Sequence, residues 1–207
     1  MSRSTLATQL PRAPKSPHNL GNRLGRVLWG LVYAIAFRPS PRNLHRWRNW
    51  LLRIFGAEIH RTARVYPRAR LWAPWNLTMG ERSCIGDDVD VYCVAPVTLG
   101  ACTTISQYSY LCAATHDHTD PKHPLVPRPI TIGDRCWLAA DVFVGPGVNI
   151  GDGTVVGARS SVFSDLPDWV IATGTPARPQ RDRTLRSYDS GMDEPAASGP
   201  TTPDQRH

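Results

Sequence analysis

From Ile132 onward an aliphatic residue returns at every sixth position: Ile132, Leu138, Val144, Ile150, Val156 and Val162. A glycine follows four of them, as Gly133, Gly145, Gly151 and Gly157. An amphipathic helix repeats at 3.6 residues and a half-buried strand at 2.0, so neither accounts for a period of six. Stacked short strands do. Three hexapeptides make one turn of about 18 residues, each strand pointing one aliphatic side chain inward. The glycine after it permits a tight corner, where a Cβ would clash or φ must be positive. The pattern predicts an all-β solenoid, a parallel β-helix whose coils stack at strand spacing and cover one another's cores. An antiparallel β-protein with scattered glycines would not keep six aliphatics in register.

The pattern extends upstream. Leu77-Thr78-Met79-Gly80 recurs as Val97-Thr98-Leu99-Gly100 and as Ile130-Thr131-Ile132-Gly133. Ile59, Val65, Leu71 and Leu77 keep the six-residue step, as do Met79, Ile85, Val91 and Val97, then Leu99, Ile105 and Leu111. The first two tetrapeptides lie 20 residues apart and the third follows after 33, so roughly 13 residues are extra. They fall within 112–129, a polar, Pro-broken stretch that predicts a protruding loop.

Ahead of the repeat, the apolar run 24–37 predicts a helix too short to span a bilayer and interrupted by Arg26. Pro39 and Pro41 break it. A second helix is expected over 42–55, with Leu44, Trp47, Leu51, Ile54 and Phe55 at helical spacing and Arg42, Arg46, Arg48 and Arg53 among them. Two readings stand. The helices cap the first coil, as solenoid ends require, or they lie on a membrane surface, as basic Trp-bearing amphipathic helices do. The expected organisation is a disordered arm over 1–18, a helical region over 19–56, the β-helix over 57–170, an edge segment over 171–182 and a disordered tail over 183–207.

Charge sharpens the second reading. Residues 1–70 carry 14 Lys and Arg against the single acid Glu58, whereas the remainder carries 10 bases and 16 acids. The basic front end favours an anionic partner, such as a membrane surface or phosphorylated lipid. No aromatic-basic recognition motif points to nucleic acid. Five cysteines without a Cys-x-x-Cys pair, and no apolar core over 1–20, predict reduced thiols and a cytoplasmic protein, with peripheral contact at the inner face of the membrane. Cys112 lies nearest the loop, but it follows the inward Leu111, which favours a structural role over a nucleophilic one.

The loop concentrates candidate chemistry: His116, His118 and His123 stand in the one large excursion from a regular scaffold. One of them could serve as a general base near neutral pH. Several could bind zinc.

Thr115-His116-Asp117, Trp137-Leu138-Ala139-Ala140, Gly145-Pro146-Gly147-Val148, Gly157-Ala158-Arg159-Ser160 and Gly174-Thr175-Pro176-Ala177-Arg178 follow one another in this order. That series resembles the hexapeptide-repeat O-acetyltransferases, including the galactoside and maltose enzymes. With Phe37-Arg38-Pro39-Ser40-Pro41 and Ser106-Gln107-Tyr108-Ser109-Tyr110 added, the resemblance narrows to the colanic-acid-biosynthesis type of exopolysaccharide O-acetyltransferase, over residues 20–182.

The resemblance implies a left-handed parallel β-helix, a homotrimer with sites between subunits, and acetyl-CoA as co-substrate with no metal. It implies direct transfer, with His116 taking the proton of an acceptor hydroxyl. On the CoA side it carries over Trp137, Ala140, Ala158, Phe163, Arg178 and Arg181. The two arginines suit phosphate because a guanidinium fork meets two oxygens. Ala140 stands where the galactoside enzyme has a serine, so a backbone N–H is the remaining candidate for the oxyanion. Phe163 replaces a threonine, losing a hydrogen bond. The acceptor-side candidates are Asp90, Tyr92 and Asp117. The simpler enzymes' acceptor asparagine has no match near Tyr92-Cys93-Val94, so the expected acceptor differs: a glycan or lipid-linked oligosaccharide hydroxyl.

Two other functions are compatible with such a fold. One is a zinc-dependent γ-type carbonic anhydrase, suggested by the spacing of His118 and His123, although no histidine lies between His60 and His116 to complete its site. The other is a non-catalytic trimeric scaffold at a membrane surface.

Overall fold

The structure is a computed structural model, and it describes residues 20–185. The arm 1–18 and the tail beyond 185 lie outside the described residues. Five three-strand coils and a partial sixth stack as a parallel β-solenoid with a helical front end. The first coil holds β1 (Glu58–Ile59), β2 (Arg64–Val65) and β3 (Arg70–Leu71). The second holds β4 (Leu77–Met79), β5 (Cys84–Ile85) and β6 (Asp90–Tyr92). The third holds β7 (Val97–Leu99), β8 (Thr104–Ile105) and β9 (Tyr110–Cys112). After the hairpin β10 (Ala114–His116) and β11 (Leu125–Pro127), the fourth holds β12 (Ile130–Ile132), β13 (Trp137–Leu138) and β14 (Phe143–Val144). The fifth holds β15 (Asn149–Ile150), β16 (Val155–Val156) and β17 (Ser161–Val162). Leu166 bridges to Ile150, and β18 (Val170–Gly174) with the returning β19 (Ala177–Asp182) closes the stack.

The strands form three faces of a prism: face A (β1-β4-β7-β12-β15), face B (β2-β5-β8-β13-β16-β18-β19) and face C (β3-β6-β9-β14-β17). Every aliphatic of the six-residue series is buried. Pairing steps by 20 residues (Glu58 opposite Thr78, Thr78 opposite Thr98), then by 33 (Thr98 opposite Thr131), then by 18 (Thr131 opposite Asn149). The two residues beyond 18 sit on face A, where β4, β7 and β12 each bury two side chains rather than one. The inserted residues form the antiparallel hairpin β10–β11 instead of an irregular loop.

The glycines after the inward aliphatics serve close approach rather than positive φ. A Cβ on Gly80 would lie 2.6 Å from the Ala101 nitrogen of the next coil. The left-handed corner positions are held by Arg82, Asp88, Cys102, Tyr108, Arg135, Asp141 and Arg159, with Gly153 and Trp169 continuing the A–B corner. Aspartates finish the A–B corner: Asp134 Oδ1 accepts from the Ala101 N–H and Asp152 Oδ1 from the Asp134 N–H, each at 2.7 Å.

The front end is a cap, and the carbonyls of the first coil explain why. In the second coil the Met79, Ser83, Ile85 and Val91 carbonyls accept from the coil before, from the N–H groups of His60, Arg64, Tyr66 and Trp72, while other bonds run the opposite way, as from Cys102 to Glu81. The first coil has no coil before it, so the equivalent carbonyls of Ile59, Ala63, Val65 and Leu71 lack such donors, and buried carbonyls need them. Helices α1 (Leu20–Val32, continued by a wider turn through Phe37) and α2 (His45–Ile54) supply them. Arg53 donates to Ile59 O, Asn49 to Ala63 O, Arg48 to Val65 O and Trp29 Nε1 to Leu71 O. Trp29 also packs against Phe37 and Phe55 beneath the first coil. At the far end, Arg183, where the sequence places the start of the tail, is held against the stack. Arg183 donates to the carbonyls of Arg135 and Gly153 and lies over the Trp169 ring.

Candidate active site

The hairpin leaves the solenoid between β9 on face C and β12 on face A, so it stands on the C–A corner. His116 ends β10, opposite Leu125 of β11, and is exposed. Its Nδ1 lies 2.6 Å from the His123 carbonyl oxygen. A carbonyl only accepts, so Nδ1 carries the proton in this bond and the neutral ring presents Nε2 as its base. Asp117 Oδ1 accepts from both the backbone N–H and the hydroxyl of Thr119, at 2.9 and 2.6 Å, closing the turn. Those bonds hold the Asp117 carboxyl below its ordinary range. Among the described residues no three His, Cys, Asp or Glu side chains gather as metal ligands.

Residues expected on the CoA side lie elsewhere on the prism. Ala140 and Ala158 occupy successive B–C corners and line one cavity of about 460 Å³ with Gln107, Tyr108, Asp141 and Arg159. Their small side chains keep it open. A second cavity of about 470 Å³ continues it toward the front end and shares Gln107 and Tyr108. Trp137 projects from face B, about half exposed, and donates from Nε1 to Ser106 Oγ at 3.0 Å. Its register column runs through Val155 and Ile171 to Arg181. Phe163 projects beside face C and meets Phe143, itself in edge contact with Tyr110. Arg178 reaches Ser164 Oγ, one residue beyond Phe163.

Of the acceptor-side candidates, Asp90 and Tyr92 lie on β6 of face C and Asp117 on the hairpin turn. Asp90 pairs with Arg70 at 3.0 Å, and Tyr92 meets the Trp72 ring at 5.1 Å. Burial pushes the Cys84 and Cys136 thiols up, and Cys93 up to about 11, which keeps them protonated rather than nucleophilic. Cys112 donates to the Ala114 carbonyl at the hairpin root.

A single chain thus brings Ala140 with Ala158, and Trp137 in column with Arg181, but sets His116 on a different corner from the alanine groove. Ser106, Gln107 and Tyr108 escaped the residue-level reading of the site. Their signal was weak: Tyr108 is an exposed aromatic at φ +64, in a corner the repeat alone does not distinguish.

Residues 129–164 match the family model described as bacterial transferase hexapeptide (six repeats). The colanic acid biosynthesis acetyltransferase WcaF of Escherichia coli K12 is 50% identical over 163 residues, 79% of this chain and 90% of that protein. A solved galactoside acetyltransferase in complex with coenzyme A superposes with a TM-score of 0.74, at 28% identity over 82% of this chain and 86% of that one. A hexapeptide-repeat acetyltransferase of Vibrio cholerae complexed with acetyl coenzyme A gives 0.70, at 26% identity over 79% and 89%. Coil stack, hairpin and corner groove thus define a hexapeptide-repeat transferase. Within that class, the chain belongs to the acetyltransferase family that includes the colanic acid biosynthesis protein WcaF.

Proposed function

We propose that the protein moves an acetyl group from acetyl-CoA to a sugar hydroxyl of an exopolysaccharide or its lipid-linked precursor, with His116 as general base. The anchored tautomer of His116 carries this reading. A bond from Nδ1 to the His123 carbonyl orients the ring and leaves Nε2 as the proton acceptor. The acceptor O–H proton passes to Nε2 as its oxygen bonds to the thioester carbonyl carbon. The C–S bond then breaks, and the proton returns from Nε2 to the sulfur. Acetyl-CoA supplies the activated acyl group; positioning falls to the chain. Ala140 and Ala158 leave room for the pantetheine arm, Trp137 and Phe163 offer apolar walls, and Arg178 and Arg181 offer guanidinium forks to phosphates. Asp90 and Tyr92 face the acceptor, and Asp117 holds the turn behind the base.

Family members are typically trimers acting on sugar acceptors. Threefold packing supports the mechanism, because it would carry one subunit's hairpin from its C–A corner to a neighbour's B–C groove. The deciding experiment measures acceptor-dependent CoA release. His116→Ala should lower kcat by about 10²–10⁴, and an undiminished rate would remove the general-base role. Mass spectrometry of the exopolysaccharide with and without the protein identifies the acetylated unit.

The front end supports peripheral membrane contact in addition to capping. Leu20, Leu24, Val27, Leu28, Leu31 and Ile35 are exposed along α1, and the stacked pair Trp47–Trp50 is exposed on α2. Arginines accompany them, as at an anionic bilayer interface. Among the described residues no helix is long and apolar enough to cross a membrane. Cosedimentation with anionic vesicles should occur at low salt and weaken as salt rises. Absence of low-salt binding defeats this reading.

A further inference from the structure

Helix α1 contains Gly25 and Gly30, each less favourable in a helix interior than alanine. Gly25 has a packing reason, since a Cβ there would press within 3.2 Å of the Trp75 ring. Gly30 has none: its Cβ would meet nothing within 4 Å. Gly30 borders a cavity of about 750 Å³ between α1 and the face-C side of the first coil. Arg23, Arg26, Tyr33, Arg70, Trp72 and Asp90 line it, over an apolar floor that includes Val27 and Leu71. The Arg26 guanidinium lies 4.7 Å over the Trp72 ring. Arg70 pairs with Asp90, whereas Arg23 has no ion pair among the described residues. Three cations therefore face one carboxylate that is already engaged.

The cavity's position links two surfaces. The exposed leucines of α1 adjoin one side, with Val27 belonging both to that stripe and to the cavity wall. On the other side Trp72 meets Tyr92, and Tyr92 pairs in register with Cys112, at the root of the hairpin that carries His116. An apolar helix face, a cationic aromatic cavity and the acceptor side of the base thus follow one another along face C.

We propose that this cavity binds the diphosphate and adjoining chain of a lipid-linked acceptor, setting its sugar toward Tyr92 and His116. The proposal rests on the lipid-linked form of the acceptor reading. Guanidinium forks meet diphosphate oxygens, while Trp72, Tyr33 and Val27 offer apolar walls to the chain. A free sugar needs neither feature. Gly30 has a role here that packing does not explain: its missing side chain keeps the cavity open.

The probe is farnesyl diphosphate, titrated calorimetrically into the full chain, with farnesol and inorganic diphosphate as partial ligands. Wild type should bind farnesyl diphosphate at least about tenfold more tightly than either part. Gly30→Leu, which fills the cavity with a better helix former, and Arg23→Glu should each weaken it about tenfold or more. Gly30→Ala should retain binding, and all three variants should keep the thermal stabilisation by CoA. Wild-type failure to bind, or equal binding by Gly30→Leu, overturns the proposal. Transfer assays separate it from its premise. If lipid-linked glycan is acetylated and Gly30→Leu keeps the wild-type KM for it, the cavity assignment fails and the acceptor reading stands. If only water-soluble glycan is acetylated, the lipid-linked reading falls and takes the cavity with it.

Discussion

Replacing Arg48 by methionine tests whether the helical front end is an integral part of the solenoid. Arg48 is fully buried, and its five N–H donors all have partners. Nε donates to Val65 O at 2.7 Å, Nη1 to Ser40 Oγ and Pro41 O, and Nη2 to Arg42 O and His45 Nδ1. None of these partners is a carboxylate, so the charge is held by neutral dipoles: three carbonyls, a hydroxyl and a ring nitrogen. Methionine fits the aliphatic stem and removes the burden of a buried charge, which works in the variant's favour. It also removes five hydrogen bonds from one guanidinium, and hydrogen bonds to a charged group contribute about 1.5–3 kcal/mol each. The Arg42 carbonyl loses that donor, whereas the Pro41 carbonyl keeps the Leu44 N–H and the Val65 carbonyl has His45 Nδ1 3.2 Å away to donate in its place. The lost hydrogen bonds outweigh the relieved charge, and a net loss of about 3 kcal/mol is expected, as for other disrupted buried hydrogen-bond networks. For a chain of this size that is a fall in Tm of about 6–12 °C. The assay is urea and thermal unfolding at fixed protomer concentration, because oligomerisation would otherwise shift the midpoint. Arg48→Lys, with one compact ammonium in place of the fork, should fall between wild type and Arg48→Met. A loss below about 1 kcal/mol for Arg48→Met would refute the reasoning and make the front end an appendage.

Further outcomes follow from the same geometry. Burial, aided by Arg48, lowers His45 from its ordinary 6.5, so the unfolded chain binds protons that the folded chain refuses. Stability should be complete above pH 6.5 and decline as pH falls below it; a His45→Gln variant with the same decline would exclude this histidine as the cause. Gly153→Ala should lose about 1–3 kcal/mol, since φ is +66 and a Cβ would enter the Trp169 ring, and an unchanged unfolding midpoint would contradict it. Arg178→Gln and Arg181→Gln should each raise the KM for acetyl-CoA about three- to tenfold with kcat little changed, the modest size reflecting their exposure; an unaltered KM would remove that arginine from the CoA site.

The hexad determined a great deal without any coordinates. An inward aliphatic every six residues has one packing solution, so coil number, strand positions and the place of the insertion were all legible from Ile59 to Val162. The hairpin was located by subtraction alone, because a register kept on both sides counts the residues between. Its antiparallel pairing was not legible: Ala114–His116 against Leu125–Pro127 depends on contacts that no period records.

Tertiary structure decided what depends on direction and on which corner faces which. The want of a preceding coil, which leaves the Ile59, Ala63, Val65 and Leu71 carbonyls without a strand donor, settled why Arg53, Asn49, Arg48 and Trp29 point where they do. In the sequence they were indistinguishable from the residues of a membrane-surface helix. The same holds for Ala140 and Ala158, which are 18 residues apart and share a cavity only because one coil sits on the next. Gly30 looked like an unfavourable residue in a helix until the space beside it was seen. A sequence period reports which side chains go inward. The groove, the base and the cavity are all built on the outward side, where the period is silent and only the stacking of coils sets neighbours.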